Sequence, residues 1–229
     1  MLMSRSRSLY RTRELALLAA LLAMLAGVNT GAEAQTKAKT TATKSTAAKS
    51  AGATRTEHDL LGTKEVPAAA YYGVQTARAL ENFQLSGIKI NHYPGFVEAW
   101  AIVKLAAARA NTDVGAMKPE TLAAIDKAAQ AVLDGKYHDQ FVVDWYQGGA
   151  GTSTNMNANE VLANVALELT GHKKGEYTIM EPHDHLNMSQ STNDSYPTAI
   201  KVALLLRNAK LIEELQKLAA SFRAKGDAY

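Results

Sequence analysis

A mainly α-helical fold is what this chain predicts, and two observations carry that reading. Apolar residues recur at helical spacing in four separate stretches, each bounded by glycine or proline. Strand signals are few and short by comparison.

The globular part opens with Thr56 to Tyr72, which lacks helical period and holds Gly62 and Pro67. Residues 74–84 follow, with Leu80 and Phe83 as the expected buried positions. Phe96 to Val114 reads as a strong helix: Val97, Trp100, Val103 or Lys104, and Ala107 or Ala108 fall on adjacent rows, and Leu105 flanks them. Gly115 ends it. Pro119 starts the next helix, which sets Leu122, Ile125, Ala129 and Val132 on one face and stops at Gly135. A third helix carries Val161, Leu162, Val165, Ala166 and Leu169 and closes at Gly171. Lys173 to Pro182 is a polar connector without clear period. The last helix is expected from about Ser195 to Lys225, with Pro197 in its first turn. Its stripe of Ile200, Leu204, Leu211, Leu215 and Leu218 has no partner in the remaining sequence.

The N-terminus reads differently. Arg5, Arg7, Arg11 and Arg13 form a basic region, Leu15 to Val28 is an uncharged apolar run, and Ala32-Glu33-Ala34 is a small-x-small cleavage site. Residues 1–34 are therefore expected to be a signal peptide, and the mature protein secreted or periplasmic with no membrane anchor. The apolar run is shorter than the ~20 residues a membrane-spanning helix needs. Residues 35–56 are almost only Thr, Ala, Lys, Ser and Gly, too small and polar to form a core, and read as a disordered linker.

Charge divides at the same boundary. Residues 1–56 carry a net charge of +7 and the remainder −4, so the basic balance belongs to the leader and linker. It implies no nucleic-acid partner. The chain has no cysteine, which excludes disulfides and thiol chemistry. His183-Asp184-His185 is a candidate metal cluster, but no third ligand stands at a helical or turn spacing from it, and zinc sites want three or four. No metal and no cofactor are expected. A Gly-x-Ser-x-Gly elbow and a phosphate loop with its lysine are both lacking.

Two stretches carry the chemistry. Tyr146 to Glu160 sets Gly148, Gly149 and Gly151 directly before Thr152, Ser153, Thr154, Asn155, Asn157 and Asn159, and then runs into the third helix. Glycine permits close approach to the main chain, and a helix N-terminus presents free N–H groups and positive partial charge. Asn187 to Pro197 repeats the pattern, with Ser191, Thr192 and Asn193 ahead of the last helix. Neither loop carries a lysine or arginine. Together they are suited to hold two carboxylates through neutral donors and helix ends; plain helix capping is the competing reading.

Gly-Gly-Ala-Gly-Thr-Ser-x-Asn-Met-Asn-x-Asn-Glu-Val-Leu-Ala-Asn (148–164) with Ser-Gln-Ser-Thr-Asn-Asp (189–194) resembles the aspartase/fumarase family of lyases. Asp59-Leu-Leu-Gly62, Val66-Pro67-Ala68, Tyr71-Tyr72-Gly73 and Asp139-Gln140-Phe141 extend the likeness from about Glu57 to the C-terminus. The glycine loop is similar to that of the aspartate ammonia-lyases, where class II fumarases usually read Thr-Gly-Ser-Gly-Thr. The resemblance implies an N-terminal lyase domain over 57–194 and the first helix of a central helical bundle over 195–229. It also implies a homotetramer when full length. Family members are much longer, so a fragment is expected that lacks the Gly-Ser-Ser loop bearing the family's catalytic serine.

By the same resemblance the activity is reversible deamination of L-aspartate to fumarate and ammonia, through a carbanion whose carboxylate takes the aci form. Thr152, Ser191, Thr192 and Asn193 fall on positions that bind the substrate carboxylates; Gly148, Gly149, Gly151, Ser153 and Asn155 support them. The fragment alone is expected to be inactive. Glu181 stands where the family has a histidine, which argues against a second dicarboxylate site there. A class II fumarase and a non-catalytic truncated helical module remain the alternatives.

Overall fold

The computed structural model describes residues 52–229. The expected signal segment and linker residues 35–51 lie outside the described residues.

The described part opens, in the stretch that lacked helical period, with a two-stranded antiparallel hairpin, β1 (Thr54–Asp59) and β2 (Gly62–Pro67), with Asp59 opposite Gly62. β1 starts inside the stretch read as linker. The hairpin holds by ionic anchors rather than by an apolar face, since Val66 is its only fully buried apolar residue. Arg55 donates to the carbonyls of Ala70 and Tyr72, both at 2.7 Å, and Arg78 grips the Asp59 carboxylate with two nitrogens.

Five helices follow: α1 (Val74–Asn82), α2 (Phe96–Asp113), α3 (Pro119–Leu133), α4 (Thr152–Leu169) and α5 (Thr192–Ala228). In α1 the expected anchors Leu80 and Phe83 are only half-buried, whereas Ala77 and Ala79 are buried. Small side chains let α1 lie close against its neighbours, and the large ones slide to the rim.

α4 is the centre of the fold. Every residue from Thr154 to Leu167 is buried, and Leu169, expected on the core face, is exposed instead. A helix covered on all sides must satisfy its polar side chains internally. Asn157 and Asn164 do so by holding the surrounding loops. Asn157 accepts from the Val142 N–H and donates to the Gln140 carbonyl; Asn164 donates to Tyr71 O and accepts from Gly175 N. Loop backbone groups buried away from water need such partners.

Glu160 does the same for α1. Its carboxylate accepts from the N–H groups of Gly73, Gln75 and Thr76 at 2.7–3.0 Å, and Glu57 accepts from Val74. Two buried carboxylates thus meet the positive end of α1. Burial pushes the Glu160 carboxyl up to about 7, against those donors, which favour the charged form. Only glycine fits at 73: a Cβ there would lie 2.6 Å from Glu57 Oε2 and from the Tyr177 hydroxyl.

α5 begins three residues earlier than the sequence suggests. Ser191 caps it and Asp194 returns the bond to the Ser191 N–H, so Pro197 falls in the second turn. A reciprocal cap is a stronger start signal than the proline. Beyond Ala203 the helix exposes Leu204, Leu211, Leu215 and Leu218, each more than half accessible. Among the described residues no helix is long and apolar enough to cross a membrane.

Candidate active site

The glycine run builds the N-terminus of α4. Gly149, Ala150 and Gly151 all adopt positive φ, at 73°, 51° and 92°, so the chain turns left-handed three times before the helix starts. Gly151 packs directly on the ring of Tyr196 in α5, where a Cβ would sit 2.4 Å from the nearest ring carbon. Thr152, the first helical residue, is exposed and its hydroxyl donates to the Gly149 carbonyl at 2.6 Å. Gln147 reaches back to accept from the Thr154 N–H at 2.8 Å.

The second loop meets the first through this contact. Ser191 is exposed and serves as the cap of α5, accepting from the Asn193 N–H, so the capping reading holds for that side chain. Asn193 is exposed, and Thr192 is half-buried. Asn155, one turn into α4, donates from Nδ2 to Thr192 Oγ1 at 3.2 Å. Ser195 Oγ donates to Asn155 Oδ1, also at 3.2 Å. Two helix N-termini far apart in sequence are thereby joined, with Thr152, Thr192 and Asn193 at their outer ends. Gly148, Gly149 and Ser153 stand on the rim of the first loop.

The two loops carry no cation, yet the structure brings one behind them. Lys104 of α2 is only 1% exposed, and its ammonium donates to Asn155 Oδ1 (2.6 Å), Gln190 Oε1 (2.9 Å) and Asn187 Oδ1 (3.1 Å). Burial pushes Lys104 down to about 7, and the Asp194 carboxylate pulls it back up. The pattern held a faint signal, since Lys104 shares the apolar row of Val97, Trp100 and Ala108. A lysine there has to be paired.

The histidine cluster makes a turn instead of a ligand set. Glu181 accepts from the N–H groups of His183 and Asp184, and His185 Nδ1 accepts from the Glu181 N–H. Among the described residues no three His, Cys, Asp or Glu side chains gather as a metal site requires. A cavity of about 560 Å³ beside this turn is lined by Asp59, Glu160 and Glu181 as well as Leu60, Leu61 and Met156.

A helical core sets two polar helix starts side by side over a buried cation, a geometry suited to an anion. The model of the lyase family matches residues 62–229, and the chain belongs to that family, within the aspartase/fumarase superfamily. An aspartate ammonia-lyase of Pseudomonas canavaninivorans is 55% identical over 180 residues, covering 79% of this chain and 38% of its own length. One from Pseudomonas aeruginosa is 57% identical over 172 residues, covering 75% and 36%. Among solved structures, a fumarate lyase:delta crystallin from Brucella melitensis superposes with a TM-score of 0.74 at 51% identity, over 76% of this chain and 39% of that one. A class II fumarase from Schistosoma mansoni gives 0.61 at 38% identity, over 69% and 33%. The chain spans little more than a third of the length of the curated relatives it matches.

Proposed function

We propose that the full-length protein is an aspartate ammonia-lyase in which this chain supplies two carboxylate-binding loops. The observation that carries the reading is the junction of the α4 and α5 N-termini, tied by Asn155 to Thr192 and backed by the Lys104 ammonium. The difficult step is transfer of a weakly acidic proton, from the carbon beside a carboxylate, to a base that these two loops do not supply. The electron pair left behind is tolerable only if that carboxylate spreads it as an aci-carboxylate. Oriented donors aimed at the growing charge are then the largest catalytic aid. Thr192, through its hydroxyl and its own main-chain N–H, is suited to that role, and Thr152 with the start of α4 to the second carboxylate. The C–N bond breaks next, the C=C bond forms and ammonia leaves.

Ammonia rather than water is favoured as the leaving group by Gly148-Gly-Ala-Gly-Thr-Ser153 and by the identity to aspartate ammonia-lyases exceeding that to the fumarase. The exposed leucine stripe of α5 supports burial against further copies in a tetramer. The test is fumarate formation by the full-length protein from L-aspartate and from L-malate, with its mass measured by light scattering. Faster turnover of aspartate by a tetramer is expected. Faster turnover of malate would assign the protein to the fumarases, and an active monomer would remove the tetramer.

A further inference from the structure

We infer that Lys104 is a positioning residue that fixes the direction of a hydrogen-bond chain, so that the Thr192 hydroxyl proton points to the substrate. The inference rests on the dicarboxylate reading above and goes beyond it.

The argument runs outward from the ammonium. In its charged form, which the Asp194 carboxylate favours, the Lys104 amine has three N–H donors and no acceptor. Each of its three neighbours must therefore present an oxygen, and the contacts at 2.6, 2.9 and 3.1 Å are to amide oxygens of Asn155, Gln190 and Asn187. Amide orientation is thereby decided at all three positions. With Oδ1 of Asn155 turned to Lys104 and to the Ser195 hydroxyl, its NH₂ group faces Asn187 Oδ1 at 3.0 Å and Thr192 Oγ1 at 3.2 Å. Thr192 receives a proton from Asn155 and so keeps its own for another acceptor. Had the amide been free to flip, the Asn155 oxygen could have taken the threonine proton, and a carboxylate would have met lone pairs instead. A buried cation some 50 residues and 90 residues away in sequence from the two partners thus sets which end of Thr192 a ligand sees.

The consequence is specific. Asn155→Asp keeps the shape and strengthens the contact to Lys104, but turns the outward Nδ2 donor into an acceptor, so Thr192 must donate inward. Affinity of the full-length protein for succinate, measured by calorimetry, suits the test because succinate has no leaving group. The result is then independent of whether ammonia or water is eliminated. Loss of one hydrogen bond to a charged partner implies roughly 10- to 100-fold weaker binding for Asn155→Asp and for Thr192→Val. The double variant is expected to bind as the singles do, because the second change removes nothing further.

Losses that multiply in the double variant would mean that the new charge acts on succinate through space, and would overturn the proposal. So would a melting temperature of Asn155→Asp that falls in step with its affinity, or a wild-type protein that binds no succinate. Lys104→Met is the direct companion. A folded Lys104→Met protein that binds succinate as tightly as wild type overturns the assignment to Lys104, and if it does not fold, Asn155→Asp and its cycle decide alone.

Discussion

Gly151→Ala in the full-length protein is expected to cost about 2–5 kcal/mol of stability, combining the left-handed backbone penalty with overpacking. Its φ of 92° is one that side chains rarely adopt, and the added methyl would meet the Tyr196 ring at 2.4 Å. The neighbour cannot simply yield. Tyr196 stacks near Phe96 and Trp100, with ring centroids 6.4 and 6.2 Å away, in the aromatic cluster under the site. The change would push the starts of α4 and α5 apart, so activity should fall together with the melting temperature. Gly171→Ala separates the two contributions: its φ is 85°, but nothing stands within 4 Å of the new methyl. A loss of only about 1–2 kcal/mol is expected there, from the backbone alone. Equal melting temperatures for the two variants would show that the Gly151–Tyr196 contact does not join the loops.

Thr192→Val is expected to behave in the opposite way. It should lower kcat/KM for L-aspartate by roughly 100-fold or more while leaving the melting temperature nearly unchanged. The side chain is half-buried and keeps its volume, so little packing is lost. The α5 cap comes from Ser191 and Asp194 and survives the change. What disappears is a donor aimed at the charge that develops on the carboxylate, together with one acceptor for Asn155 Nδ2, which keeps its bond to Asn187 Oδ1. A loss of activity matched by a comparable loss of stability would instead make Thr192 part of the helix start.

The contrast shows which parts of the molecule a sequence discloses. The bounds of α2 and α3 were legible because Gly115, Pro119 and Gly135 punctuate strong apolar rows. The glycine loop and the Ser191–Asn193 run were legible as helix starts because their composition is that of caps and close approaches. The hairpin was hidden, since its strands alternate no apolar face and hold through Arg55, Glu57 and Arg78. The all-round burial of α4 was hidden for a related reason. Asn155, Asn157, Asn159 and Asn164 read as a polar surface until the loops that they bind are in place. Lys104 is the clearest case, because a cation on an apolar row takes its meaning from amides roughly 50 to 90 residues later, which only the tertiary fold supplies.

The central claim is that the joined starts of α4 and α5 hold a dicarboxylate, and a structure of the full-length protein with succinate bound tests it most directly. One carboxylate is expected within hydrogen-bond reach, ~2.6–3.2 Å, of Thr192 Oγ1, with the other near Thr152. Succinate found in the cavity beside Glu181 and His183, with Thr152 and Thr192 untouched, would contradict it.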